Sequence, residues 1–193
     1  MGKLSFIWQY ITKPRTTGAI LPSSVYLARK MVAGINFENA RVIVEYGPGT
    51  GVFTEKLIGG IKGNTLLVLI ERNEDFCRML EKKYAGKANL YVINGSAEDT
   101  GKYLTEHGAD GADYIVSGLP FASLPPQVSQ EILAQTKKHL KPGGKFITFQ
   151  YTLFKKKIFS QYFNKIEITR EFRNVPPAYV LACSCVPSRE KAK

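Results

Sequence analysis

Three glycines and two carboxylates hold the densest chemistry in this 193-residue chain. In "VIVEYGPGTG" an apolar run ends at Glu45 and Tyr46, and glycines follow at 47, 49 and 51. Glycine admits positive φ and lets the backbone approach a ligand closely. The helix start that follows would leave N–H groups free to meet polar atoms. Glu71 closes the next apolar run, and a carboxylate in that place can accept hydrogen bonds from ribose hydroxyls. The set points to a ligand that carries a nucleoside. A dinucleotide site calls for G-x-G-x-x-G, and here the third glycine comes one residue early. Spacing alone therefore admits NAD without selecting it. A purely structural glycine turn would explain the glycines but not both acids.

A second stretch, "YIVSGLPFASLPPQ", stops an apolar run at Ser117 and continues with Gly118, Leu119, Pro120 and Phe121. Glycine and proline end a strand there and force a loop. Other chemistry-bearing types are sparse. Cys77, Cys183 and Cys185 give neither a disulfide framework nor a zinc set, and they read as buried thiols in a reducing, cytoplasmic setting. His107 and His139 read as loop and helix-end residues without a role.

The elements that must position these groups follow from periodicity. "RVIVEY", "TLLVLIE", "NLYVING", "ADYIVSG" and "GGKFITFQY" read as strands. The glycine turn and three segments read as connections: "VFTEKLIGGI", "NEDFCRMLEKKYA" with an N-cap at Asn73, and "PPQVSQEILAQTKKHL" with proline at its start. Strands alternating with helices predict a parallel sheet covered on both faces. "LFKKKIFSQYF" reads as a short helix, and "NKIEITREF" and "AYVLACSCV" as a closing antiparallel pair. Ahead of this core, Leu4, Ile7, Trp8 and Ile11 form one helical stripe that Pro14 ends. That stripe fits a helix docked on the domain or one lying in a membrane interface. A second helix begins near Tyr26, with Ser23 or Ser24 as N-cap. The predicted organisation is an amphipathic helical segment over 1–35 and a core over 36–193, one structural domain in all.

A net charge of +11 and a pI near 9.6 favour anionic partners: nucleic acid, an anionic membrane surface or a phosphate-bearing substrate. No apolar run reaches the roughly 20 residues of a membrane span. The N-terminus has no signal-peptide pattern.

Glu45-x-Gly47-x-Gly49-x-Gly51, with Glu71 closing the second strand, resembles motifs I and II of class I S-adenosylmethionine (SAM) methyltransferases. The resemblance runs from about residue 17 onward. It implies a Rossmann-like α/β fold, a seven-stranded mostly parallel sheet with the last strand reversed. It also implies SAM as cofactor, held by Glu45, Tyr46, Gly47, Gly49, Gly51, Glu71 and Arg72. "NGSAED" is similar to the third motif, and it places Ser96, Ala97 and Glu98 beside the adenine, with Ser96 where many relatives carry Asp. Ser23, Ser24 and Ser117 are further cofactor contacts implied in this way.

Two branches of the family fit "GLPF". The rRNA adenine dimethylases carry Asn-x-Pro-aromatic here; the amide grips the amino group and the ring stacks on a flipped base. Gly118 stands in place of that Asn. The bacterial phospholipid N-methyltransferases are similar in "KPRTTGAILPSS", "EYGPGTGVFT", "SGLPF" with "SLPP", and "NVPPA". That resemblance implies stepwise methylation of phosphatidylethanolamine by a monomeric enzyme at the inner face of the membrane, with no metal. Gly118, Leu119 and Ser117, through backbone carbonyls, and the hydroxyls of Tyr26, Tyr46 and Ser117 are then the expected partners of the amine. Lys13, Arg15 and the Lys155–Lys157 run would face the anionic leaflet. RNA adenine, another small or ornithine-type lipid amine, and a non-catalytic lipid-binding role are the alternatives.

Overall fold

The structure, a computed structural model, describes residues 24–153 and 156–185. The stripe over Leu4–Ile11, together with Lys13, Arg15, Ser23 and Lys155, lies outside them. Helix α1 (Val25–Val32) starts on Ser24, whose Oγ accepts from the Leu27 N–H at 3.1 Å. Strand β1 (Val42–Tyr46) leads into the glycine turn and α2 (Val52–Gly60). Strand β2 (Leu66–Glu71) precedes α3 (Glu74–Lys83). The expected cap of α3 is present: Asn73 Oδ1 accepts from Phe76 N–H at 2.9 Å. Glu74 and Asp75 in its first turn and Lys82 and Lys83 in its last oppose the helix dipole.

Strand β3 (Leu90–Asn94) is followed by a short 3₁₀ turn, Ala97–Asp99, and by α4 (Thr100–Glu106). The sequence reading had no helix there. Strand β4 (Ala112–Ser117), α5 (Pro126–His139) and β5 (Leu140–Gln150) complete the α/β run. Strand β5 begins three residues before the expected "GGKFITFQY", because its pairing with β4 already starts at Ala112–Leu140 and slips between Ala112 and Tyr114. Helix α6 (Lys156–Ser160) and the hairpin of β6 (Lys165–Glu171) and β7 (Ala178–Ser184) close the chain.

The sheet order is β3-β2-β1-β4-β5-β7-β6. Strands β1 to β5 are parallel, and β7 runs antiparallel to both β5 and β6. The last strand is therefore reversed, as expected. Every residue of β1, an interior strand, is buried, as a strand covered on two faces requires. One face packs Tyr46, Phe121, Phe146, Phe159 and Phe163 beneath α5 and α6. The other packs Leu27, Met31, Ile43, Phe53 and Leu57 beneath α1 and α2. Chain order reverses between β1 and β4, and the crevice beyond the carboxyl ends of strands at such a point is where α/β sheets hold ligands.

Candidate active site

A cleft opens at that switch point. It spans about 850 Å³, counted out to its open mouth. Gly47, Gly49, Glu71, Arg72, Ser96 and Ala97 line one half. Gly118, Leu119, Pro120, Leu124, Pro125, Val128 and Ile132 line the other.

The first half is built around Glu71. Its Oε2 accepts from Gly49 N–H at 3.0 Å and its Oε1 from Asn73 N–H at 2.9 Å. The carboxylate thus ties the glycine turn to the start of α3. Burial pushes its pKa above the ordinary carboxylate range, while the N–H groups of Asn73 and Gly49 pull it back. Each oxygen keeps lone-pair capacity toward the cleft. The turn has φ of +62°, +54° and +84° at Gly47, Gly49 and Gly51, the left-handed region that only glycine enters freely. Ser96 donates to Glu98 Oε2 at 2.6 Å, which turns its hydroxyl toward the 3₁₀ turn. A carboxylate facing bare backbone across a partly apolar cleft suits a nucleoside with ribose hydroxyls, and SAM fits that description.

Several expected contacts lie elsewhere. Glu45 is wholly buried beneath the turn, not in the cleft wall. Its Oε2 accepts from Thr54 Oγ1 at 2.7 Å, while Oε1 has no hydrogen-bond partner among the described residues. Burial lifts its pKa to about 8, so it stays protonated at neutral pH. Its bond to Thr54 ties the end of β1 to α2. Tyr46 is also fully buried, and its hydroxyl meets Thr100 Oγ1 at 2.8 Å and Thr136 Oγ1 at 3.4 Å. The phenol is thus locked in the core between α4 and α5, turned away from any amine in the cleft. Tyr26 sits on the rim of α1 with Arg173 stacked 4.4 Å from its ring centroid. Ser24 caps α1, and its N–H donates to Asn174 Oδ1 at 3.1 Å. Ser117 is buried, with Oγ accepting from Leu119 N–H at 3.2 Å, so it shapes the loop from behind.

The second half, from Gly118 to Ile132, differs in kind. Gly118 N–H donates to Tyr46 O at 2.8 Å, and a Cβ added to Gly118 would lie 2.7 Å from Gly47 O. The two loops meet backbone to backbone, and this close approach is what requires glycine at 118. Phe121 is fully buried, with edge-to-face contacts to Phe146 at 6.0 Å and Phe159 at 5.4 Å. The expectation of a ring free to stack on a base is therefore corrected: the ring anchors the loop to the core. Sequence reasoning missed Leu124, Pro125, Val128 and Ile132 as cleft walls. Val128 and Ile132 stand four apart on α5, one face of a helix, and that spacing was the available signal.

This sheet order, glycine turn and strand-two acid define a class I SAM-dependent methyltransferase. The chain belongs to the family described as ribosomal RNA adenine dimethylase, whose family model matches residues 21–167. It is 32% identical over 180 residues to an ornithine lipid N-methyltransferase of Singulisphaera acidiphila, covering 92% of this chain and 93% of that protein. The fold is similar to the N-methyltransferase NodS of Bradyrhizobium japonicum in complex with S-adenosylhomocysteine. That match has a TM-score of 0.67 and 12% identity, and it covers 94% of this chain and 96% of that one. It is also similar to an rRNA methylase of Streptococcus thermophilus, with a TM-score of 0.63 and 14% identity over 87% and 100% of the two chains. SAM is the cofactor consistent with this family. Among the described residues no helix is long and apolar enough to cross a membrane.

Proposed function

We propose that this protein methylates the headgroup amine of a membrane lipid with SAM, at the surface of the bilayer. The observation that carries the reading is the acceptor loop. It presents no side-chain amide at Gly118 and no free ring at Phe121, so it lacks both devices that would grip a flat adenine. Its remaining walls, Leu119, Leu124, Val128 and Ile132, suit an aliphatic chain that carries an amine. The similarity to an ornithine lipid N-methyltransferase over nearly the whole chain supports the same reading. Phosphatidylethanolamine, taken toward its monomethyl, dimethyl and choline forms, and an ornithine lipid are the two acceptors to compare.

When bound, SAM supplies an electrophilic methyl on its sulfonium. The chain's own residues have a simpler task. Glu71 and the glycine turn hold the nucleoside end. The carbonyls of Ser117–Leu119 accept from the N–H groups of the amine and orient its lone pair. Reaction then needs a neutral amine held in line, which is a matter of positioning. A free alkyl ammonium has a pKa of roughly 10. An apolar wall disfavours its charged form and so promotes loss of the proton to water at the mouth. The N-terminal segment over 1–35 would cover the cleft from the membrane side.

The test is methyl transfer from labelled SAM to three acceptors in parallel: vesicles with phosphatidylethanolamine, vesicles with an ornithine lipid, and unmethylated ribosomal RNA. Label in either lipid supports the reading, and the product ladder counts the methyls. Label in RNA alone overturns it and returns the chain to the adenine chemistry of its family's description.

A further inference from the structure

The turn between β6 and β7 carries apolar side chains where a soluble surface has little use for them. Phe172 is 67% exposed and Val175 68% exposed. Glu171 directly precedes Phe172 and Asn174 directly precedes Val175, and both are buried, at 2% and 3% exposure. Glu171 accepts from Arg173 N–H at 2.9 Å, from Arg173 Nε at 2.9 Å and from Arg173 Nη2 at 3.1 Å. Those bonds hold its pKa down at about 2. Asn174 accepts from Ser24 N–H at 3.1 Å and donates to Pro176 O at 2.7 Å. Two buried polar anchors thus fix the turn, and the apolar residue that follows each of them is exposed.

The cations are arranged around the same residues. The Arg170 guanidinium lies 4.6 Å from the Phe172 ring centroid, and Arg173 covers Tyr26. Lys30 Nζ donates to Arg170 O at 3.0 Å. Position in the sheet completes the picture. Gln150 at the carboxyl end of β5 pairs with Tyr179, and Tyr179 pairs with Arg170. The turn therefore projects from the sheet edge that holds the cleft. Exposed apolar side chains ringed by cations are the composition that inserts among anionic headgroups.

From this arrangement we infer that the β6–β7 turn, with the neighbouring face of α1 that carries Tyr26 and Lys30, is a bilayer-docking face that seats the cleft on anionic lipid. The inference rests on the lipid reading above and adds the surface that brings the enzyme to its substrate. Phe172 and Val175 enter the headgroup layer. Arg170 meets lipid phosphate, and Arg173 and Lys30, which share the single carboxylate of Glu171 at 2.9 and 3.8 Å, leave the face net positive. No cleft residue takes part, so docking and cofactor binding are separable.

The experiment uses the full chain and vesicles of phosphatidylglycerol mixed with phosphatidylcholine. Binding is read by co-sedimentation and SAM affinity by calorimetry. The double variant Phe172→Ser/Val175→Ser should lose about tenfold or more in vesicle binding, since two exposed apolar side chains are removed from the contact. Its SAM affinity should not change. Phe172→Leu/Val175→Ile should keep vesicle binding, and raised salt should weaken wild-type binding. A serine variant that binds vesicles like wild type would overturn the docking face and leave the lipid reading standing. A serine variant that loses thermal stability but not vesicle binding also overturns it, and marks the turn as a packing element of the fold. Transfer to RNA alone, by contrast, removes the lipid reading itself.

Discussion

The two halves of the cleft are made by opposite means. The cofactor half works through a charged side chain: Glu71 reaches back to Gly49 and forward to Asn73, and one carboxylate orders two loops. The acceptor half works through backbone and packing: Gly118 lies against Gly47, and Phe121 is sunk among phenylalanines. A polar grip can be lost without unfolding, because water replaces it. A loop pinned by a core ring cannot move without disturbing the core. The contrast separates binding energy from shape, and point substitutions can test the separation.

The largest effect belongs to the acceptor half. Phe121→Ala should cost about 3–5 kcal/mol of stability, as other buried aromatic truncations do, and chemical denaturation measures it. If the loss were under 1 kcal/mol, the ring would not be the anchor. Next is Glu71→Ala, which should weaken SAM binding roughly 100-fold by calorimetry, because charge-assisted bonds and the loop order they impose are lost together. Its melting temperature should change far less than that of Phe121→Ala. Gly118→Asn restores the amide of the adenine branch but forces a Cβ against Gly47 O. It should cost about 1–3 kcal/mol and yield no RNA methylation.

Glu45 offers a pH signature. Its folded pKa, about 8, lies above the usual 4.5, so the folded state holds a proton that the unfolded chain releases. The stability it contributes is whole below pH 4.5 and is lost as pH rises toward 8, with a steepest slope of about 1.4 kcal/mol per pH unit. Glu45→Gln should flatten that decline in denaturation curves taken across the window. The smallest effect is Tyr46→Phe. It should cost about 1 kcal/mol by removing the bonds to Thr100 and Thr136, with the methyl-transfer rate unchanged. A large fall in rate at full stability would return the phenol to the reaction.

The cofactor half was legible because its signals are local. Glycines at 47, 49 and 51 and an acid ending the next strand lie within one βαβ unit, and the cap at Asn73 follows it by two residues. The acceptor half was legible in composition but not in direction. Whether Phe121 faces a base or the core depends on Phe146, Phe159 and Phe163, which lie 25 to 42 residues further along. The direction of the Tyr46 hydroxyl was hidden for the same reason: its partners come from α4 and α5, distant in sequence. Helix α4 was missed because its two turns bury only Thr100, Tyr103 and Leu104, too few residues for a period to emerge.

The three thiols have unequal reach. Cys77 and Cys183 are buried, and burial pushes Cys183 up to about 12, while Cys185 is exposed. Cys185 follows the end of β7, and the strand runs roughly 20 Å away from the Phe172–Val175 turn. Gentle alkylation should therefore dress this molecule at one point, on the side opposite its cleft. A fluorophore placed there would ride on the solvent side of a docked enzyme and report its orientation without entering the lipid.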